Sequence, residues 1–159
     1  MKTILGSKYY LFALVLLFSA CSSRDITYNV NAISFEGDGY LIVEIWNENE
    51  GTDYEPEQAL KDALNNILYF GVLSNNKFTA QKPLLLTEEN RNNFKKIENE
   101  FFKNDGDWSK FLRMSSSKAA ITQNLNQKEV KVYQVSISKD LLRKYLEEQN
   151  ILNPITKGF

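Results

Sequence analysis

The stretch YLIVEIW, residues 40–46, decides the fold of this chain. Every position except Glu44 is aliphatic, β-branched or aromatic, so both faces of an extended segment would be mostly apolar. A strand with this pattern is typical of the middle of a sheet, where both of its faces are covered. We therefore predict a central strand here. We expect Glu44 to face outward or to be paired, because no second carboxylate accompanies it as catalysis of the glycosidase kind requires.

A hairpin is predicted to bring a second strand alongside residues 40–46. Residues 26–36 alternate in part between apolar and polar side chains, which is typical of a strand. Gly37-Asp38-Gly39 then supplies residues that favour a tight turn. The two strands are therefore expected to pair in antiparallel fashion.

A second hairpin is expected further along the chain, formed by residues 119–125 and 130–137 around the turn Asn126-Gln127-Lys128. The first apolar residues of its second strand are out of phase with the later ones. This predicts either a β-bulge or a strand that is apolar on both faces.

Three segments with helical periodicity accompany the hairpins. The first begins at Pro56, whose missing N–H costs nothing in a first turn, and ends before Gly71. The second begins after a capping Thr87 and is interrupted at residues 104–106, after which Asp107 is expected to cap a short helix that carries Trp108 and Phe111. The last follows a capping Ser138. The expected fold class is α+β: a single domain of order ββα(αα)ββα, with about four strands and helices packed on one face.

An apolar stretch at the start of the chain ends in the only cysteine. The stretch begins at Tyr9, follows Lys2 and Lys8, and closes with Leu17-Phe18-Ser19-Ala20-Cys21. A basic start, a short apolar run and small residues at a cleavage point make a secretory signal peptide. With Cys in the last place, the segment resembles the lipobox of bacterial lipoproteins.

The resemblance implies that residues 1–20 are removed and that Cys21 becomes an acylated N-terminus. Residues 21–25 would then be the lipid attachment and a short tether, and residues 26–159 the single domain with a helical insertion at about 78–114. The apolar run has about twelve residues, fewer than the roughly 20 that a permanent span needs. By the sorting rule of diderm bacteria, Ser22 after the cysteine implies the outer membrane, and we expect its periplasmic face. An ordinary secretory peptide is the alternative.

The composition excludes several classes of function. The chain of 159 residues has 19 Lys and Arg, 20 Asp and Glu, one Cys and no His. Without His, zinc sites built from Cys and His and the Ser-His-Asp or Cys-His arrangements are excluded. No basic surplus supports nucleic-acid binding. The acidic loop at residues 47–55 lacks the first Asp and the closing Glu of a calcium loop. We therefore expect no catalytic residues, no metal and no cofactor.

Two parts of the mature chain resemble small α/β domains of envelope lipoproteins. They are Ala59-Leu60-Lys61-Asp62-Ala63-Leu64 in the first helix and Val135 to Asn150, which leads into the last. The families are the FlgT N-terminal domain of flagella and the curli-type CsgG family. The resemblance implies a hairpin followed by an amphipathic helix in each half, and the insertion from Phe78 to Met114 departs from it.

The insertion concentrates aromatic and basic residues. Most of its rings are expected to lie in the core, namely those of Phe94, Phe101, Trp108 and Phe111, together with Ile97. Phe102 is the exception, because neighbouring residues of a helix cannot both face the same core. An exposed aromatic with basic neighbours suits a protein interface or a glycan. In the alternative that Trp108 is exposed rather than in the core, the candidate partner surface consists of Phe102, Trp108, Lys103 and Lys110.

Three functions remain open at this point. The leading hypothesis is a non-enzymatic lipoprotein, held at the membrane by its lipid, that binds another envelope protein as an accessory subunit. The alternative is a lipoprotein that binds a glycan or small ligand in a cleft lined by Trp46 or Trp108. The third is a structural ring subunit whose sheet edges, from Tyr28 or Ala119, pair between copies. The sequence does not give the oligomeric state.

Overall fold

Five antiparallel strands and four α-helices make up the part of the chain that the computed structural model describes, residues 27–36, 39–73, 79–115 and 121–154. The strands are β1 (Asn29–Glu36), β2 (Tyr40–Trp46), β3 (Leu112–Met114), β4 (Ile121–Leu125) and β5 (Lys128–Ser138). The helices are α1 (Pro56–Tyr69), α2 (Glu88–Lys95), α3 (Glu98–Phe102) and α4 (Lys139–Glu148). Short 3-10 turns lie at Gly51–Asp53 and Asp107–Phe111. The α+β class is confirmed.

The sheet is organised around β2 and β5. β2 lies between β1 and β5, with Val43 opposite Ala32 on one side and Val135 on the other, so the predicted central strand is confirmed. β3 and β4 share the far edge of β5, β4 along its first half and β3 along its second. The sheet therefore has one strand more than expected. β3 was missed because three residues are too few to show alternation.

Both predicted hairpins form. β1 pairs with β2, and the register shifts between Ala32 and Ser34, which places a bulge in β1. β4 pairs with β5 through a turn in which Asn126 and Gln127 both have positive φ, as a two-residue hairpin turn requires. The pairing of β5 with β2 and β4 is continuous in register. The sequence predicted either a bulge in this strand or a strand that is apolar on both faces. The continuous register of β5 excludes the bulge, so the second alternative is correct.

One face of the sheet carries the hydrophobic core. Leu41, Val43 and Ile45 of β2 are fully buried, in one cluster with apolar residues of α1 and α4. α1 begins at Pro56 and contributes Ala59, Ala63, Leu64, Ile67 and Leu68 to this cluster. The residues recur at helical spacing, so burial of this stripe explains why the segment is a helix.

Two expectations about the later helices were wrong. The segment after Thr87 forms two helices, because the N–H groups of Lys96 and Ile97 bond to carbonyls three residues back and end α2 before α3 begins. Thr87 does cap α2, accepting a bond from the Asn90 N–H at 3.2 Å. Ser138 makes no side-chain cap on α4, because it is the last residue of β5 and is buried in the sheet.

Candidate binding surface

The four residues predicted as a partner surface do not form one. Trp108 is 6% exposed, and its indole N–H donates to the carbonyl oxygen of Lys103 at 2.9 Å. Phe102 is partly buried, with its ring edge-to-face on Phe101 at 4.9 Å between centroids. Phe94, Phe101, Trp108 and Phe111 are buried, so the expectation that they lie in the core is confirmed, whereas Ile97 is only partly buried.

The two lysines of that predicted surface are exposed, and each forms an ion pair with a nearby carboxylate. Lys103 lies 2.6 Å from Oε2 of Glu100, and Lys110 lies 2.5 Å from Oδ1 of Asp107. Each pair joins residues three apart, and exposed pairs of this kind contribute little to stability or to long-range attraction. The face around α3 therefore offers paired charges rather than a positive patch.

Other residues singled out by the sequence are also accounted for. Glu44 accepts a hydrogen bond from Nε2 of Gln134 at 3.3 Å on the neighbouring strand, which confirms that it is paired. Trp46 is partly buried on β2 and lines none of the three clefts described below. Cys21, the signal segment and the tether lie outside the described residues.

A small cleft lies beside α1, with a volume of about 240 Å³. It is lined by Gln58, Lys61, Asp62, Asn65, Glu98 and Phe102. Burial raises the pKa of Asp62, although hydrogen bonds from Tyr54 and Gln58 oppose this. These bonds already hold both oxygens of the carboxylate, and the one from Tyr54 anchors the loop before α1.

Two larger clefts meet at Leu86. The first, which we call the basic cleft, has a volume of about 660 Å³ and lies between the start of α4, the segment before α2 and the chain after α4. Its charged lining residues are Lys82, Lys139, Asp140 and Arg143. The second, the aromatic cleft, has a volume of about 490 Å³ and is lined by Tyr69, Phe70, Leu86, Glu88, Arg91, Asn92 and Lys95.

Leu86 lines both clefts and is 58% exposed, so the clefts form one continuous surface, which we call the Leu86 surface. Phe70, at the other end of the aromatic cleft, is 42% exposed. Five of the charged lining residues are cations and two are carboxylates. One cation, Arg143, also pairs with Glu147 at 2.9 Å. Because the whole chain has a formal charge of −1, positive charge is concentrated here.

Backbone hydrogen bonds explain why Leu86 faces outward. The N–H groups of Leu84 and Leu85 donate to the carbonyls of Ile67 and Leu68 at 3.1 and 2.9 Å. These carbonyls belong to the last turn of α1 and have no partner within the helix. These bonds hold Leu84 and Leu85 against the end of α1, where both are buried, whereas Leu86 lies beyond them and is exposed to solvent.

Arg91 fixes this segment to α2. Its Nε donates to the carbonyl of Leu85 at 3.0 Å, and a terminal nitrogen donates to the carbonyl of Tyr69 at 3.4 Å. The guanidinium keeps its charge while it holds the aromatic cleft in shape. The walls of the surface are therefore positioned by backbone contacts and one arginine.

Lys139 is the most constrained cation of the basic cleft. Its ammonium donates to Oε1 of Gln81 at 2.8 Å, and burial lowers the pKa of the group below its ordinary value. Asp140 opposes this change electrostatically, and Arg143 adds to it. A charge that is partly removed from water is stabilised by an anion brought against it.

Sequence reasoning missed the Leu86 surface for a physical reason. Its cations are spread from Lys82 to Arg143, in three separate elements, so no local run of basic residues marks it. Residues 72–86 have no clear helical or strand periodicity. The one available signal is the run of three leucines, Leu84-Leu85-Leu86, in this irregular segment.

Among the described residues, no group of three or more Asp, Glu, Cys or His side chains is placed to hold a metal ion. No helix within the described ranges is both long and apolar enough to cross a bilayer.

Comparison with known proteins identifies no relative. No protein-family model, no curated protein and no solved structure matches this chain.

Proposed function

We propose that this protein is a lipid-anchored envelope lipoprotein without catalytic activity, which binds an envelope protein through the Leu86 surface as an accessory subunit. The observation that carries the proposal is the exposure of Leu86 between two clefts with a surplus of cations. The resemblance of residues 17–21 to a lipobox supports the membrane anchor. Attachment by two or more acyl chains is stable, because each buried methylene contributes about 0.8 kcal/mol.

A protein partner is favoured by the side chains that the surface offers. Exposed apolar groups with a charged rim are typical of protein interfaces, and aromatic and arginine side chains are enriched at their centres. Phe70, Leu86 and Arg91 supply these groups within a single cleft. The glycan alternative receives less support, because Trp108 is buried and Trp46 lines neither cleft.

The experiment is photo-crosslinking in intact envelopes. A photoreactive amino acid replaces Leu86 in the full-length lipoprotein, and in a matched control it replaces Ile121. Ile121 is 47% exposed on β4 and lines neither cleft, so the two probes have similar accessibility on different surfaces.

We expect the Leu86 probe to give one dominant crosslinked protein, and the Ile121 probe to give at least about tenfold less of it. Equal yields from both positions, or crosslinks from Leu86 to lipid or glycan alone, would contradict the proposal. A companion Leu86→Ser variant, tested for loss of co-purification of that protein, measures whether the leucine contributes to binding.

A further inference from the structure

The basic cleft has features that favour a bound anion. Lys139 is the first residue of α4, where the positive end of the helix dipole disfavours a cation. Its side-chain hydrogen bond goes to the neutral amide of Gln81. Among the described residues, no ion pair neutralises it. The fold therefore places the Lys139 ammonium at the positive end of a helix dipole, and an anion bound in the cleft would offset this unfavourable interaction.

Other groups in the cleft act in the same direction. Lys82 and Arg143 line the same space, and so does Thr87, which caps the eight-residue helix α2. The first turns of two helices thus border the cleft, and both dipoles favour negative charge. Asp140 is the carboxylate on its wall, where its Oδ2 lies close to the backbone of Gly39.

The distribution of charge along the Leu86 surface indicates which class of anionic partner can bind there. Asp140 and Glu88 are interspersed with the five cations along the Leu86 surface. A uniformly anionic membrane would bring negative charge against both carboxylates, which costs energy. A peptide can place its carboxylates beside the cations alone. It can also place an apolar side chain between them, against Leu86 and Phe70, which a headgroup layer cannot do.

We propose that the Leu86 surface binds an extended acidic segment of the partner protein, with carboxylates against Lys139 and Lys82 and an apolar side chain in the aromatic cleft. This inference rests on the proposed function and names the chemistry of the partner. An extended segment in which acidic residues adjoin a large apolar residue matches the position of the basic cleft next to the aromatic cleft.

The test measures peptide binding to the lipoprotein in nanodiscs of uncharged phosphatidylcholine. The probe is fluorescein-labelled acetyl-GEELFEEG-amide, and its matched control is acetyl-GQQLFQQG-amide. Two protein variants are compared with the wild type. The double variant carries both Lys82→Gln and Lys139→Gln. The control variant is Lys128→Gln, which removes an exposed lysine of β5 that lines neither cleft. Thermal unfolding of each variant shows whether it is folded. Binding of phosphatidylglycerol vesicles is measured separately, as a test of the membrane alternative.

We expect the acidic peptide to bind at least about tenfold more tightly than the glutamine peptide and to weaken as salt rises. The double variant should lose most of this preference while remaining folded, and Lys128→Gln should keep it. Equal binding of both peptides, binding of neither, or binding of phosphatidylglycerol vesicles alone would overturn the inference. A Leu86 crosslink to one protein would leave the proposed function standing in each of these cases, so the two failures are distinguishable.

Discussion

The hydroxyl of Tyr54 donates a hydrogen bond to Oδ2 of Asp62 at 3.0 Å, and this contact ties the loop after β2 to the second turn of α1. Tyr54 is fully buried, and its own carbonyl accepts a bond from the hydroxyl of Tyr133 at 2.8 Å. The two rings meet edge to face. Burial, with Asp62 nearby, raises the pKa of Tyr54 far above its usual range, so the hydroxyl stays a neutral donor.

Replacing Tyr54 with Phe should destabilise the protein by about 1–2 kcal/mol, because the hydrogen bond to a partly buried carboxylate is lost while the ring is kept. Urea denaturation measures the free energy of unfolding. Tyr28→Phe is a control that also removes a hydroxyl, one that accepts a bond from the amide of Asn65 at 2.9 Å. A change below about 0.5 kcal/mol for Tyr54→Phe would show that the bond contributes little.

Asp62 should make the stability depend on pH. Burial raises the pKa of this carboxyl in the folded protein above its ordinary value of 3.8. Between pH 3.8 and the raised pKa, the folded protein therefore binds more protons than the unfolded chain. The wild type should therefore gain stability relative to Asp62→Asn as the pH falls from neutral through the folded pKa, and the gain should be complete below 3.8. The measurement is urea denaturation of both proteins over this range.

The control for that comparison is Asp53→Asn, which changes an exposed carboxyl in the loop before α1. This variant removes a negative charge from the same region without removing a partly buried one. A difference between wild type and Asp62→Asn that is constant with pH, or that favours the variant more strongly in acid, would be contrary to the expected sign.

Gly71 should tolerate no side chain. It follows α1 with φ of +76°, and a Cβ there would lie 2.1 Å from the carbonyl oxygen of Gln81. Gly71→Ala combines a left-handed conformation, which costs about 1–2 kcal/mol, with a backbone clash that adds a comparable amount. Gly51→Ala is the matched control, because φ is +56° but the nearest atom, a carbonyl oxygen of Glu129, is 3.2 Å away.

We expect Gly71→Ala to lower the free energy of unfolding by about 3 kcal/mol and Gly51→Ala by about 1 kcal/mol. Thermal or urea unfolding distinguishes these values. Equal losses at both positions would mean that the approach of residue 81 to the end of α1 does not constrain Gly71.

The neighbouring residues Leu85 and Leu86 should contribute very differently to the stability of the fold. Leu85→Ala should cost about 2–5 kcal/mol, because a fully buried side chain leaves a cavity. Leu86→Ala should change stability by less than about 0.5 kcal/mol, because the side chain is mostly in solvent. Denaturation of the two variants under the same conditions tests this, and similar losses would show that Leu86 is part of the packed core.

Cys21→Ala should release the protein from the membrane fraction and leave the domain folded, because the acyl chains and not the domain would supply the attachment. Fractionation of envelopes, with circular dichroism of the released protein, measures both effects. Ser22→Ala, which changes the next residue and keeps the cysteine, should stay in the membrane. Membrane association that persists without Cys21 would point to a direct contact with a partner instead.

The hairpins, α1 and the α+β class could be predicted because each depends on local pattern. Residues 40–46 are apolar on both faces, and Pro56 and Gly71 mark the ends of α1. β3 could not be predicted, since three residues carry no period and pairing with β5 alone makes them a strand. The second helix is divided at Lys96 and Ile97, where the backbone bonds shift to carbonyls three residues back, and periodicity does not predict this shift.

The sequence by itself determined most of the secondary structure, the lack of His side chains and the prediction of a lipid anchor at Cys21, because these depend on residue types and short-range order. Only the tertiary structure decided which surface is available for binding. It buried Trp108, and it brought Lys82, Arg91 and Lys139 around Leu86 from three parts of the chain. Such a surface is made by packing between distant segments, which no local pattern encodes.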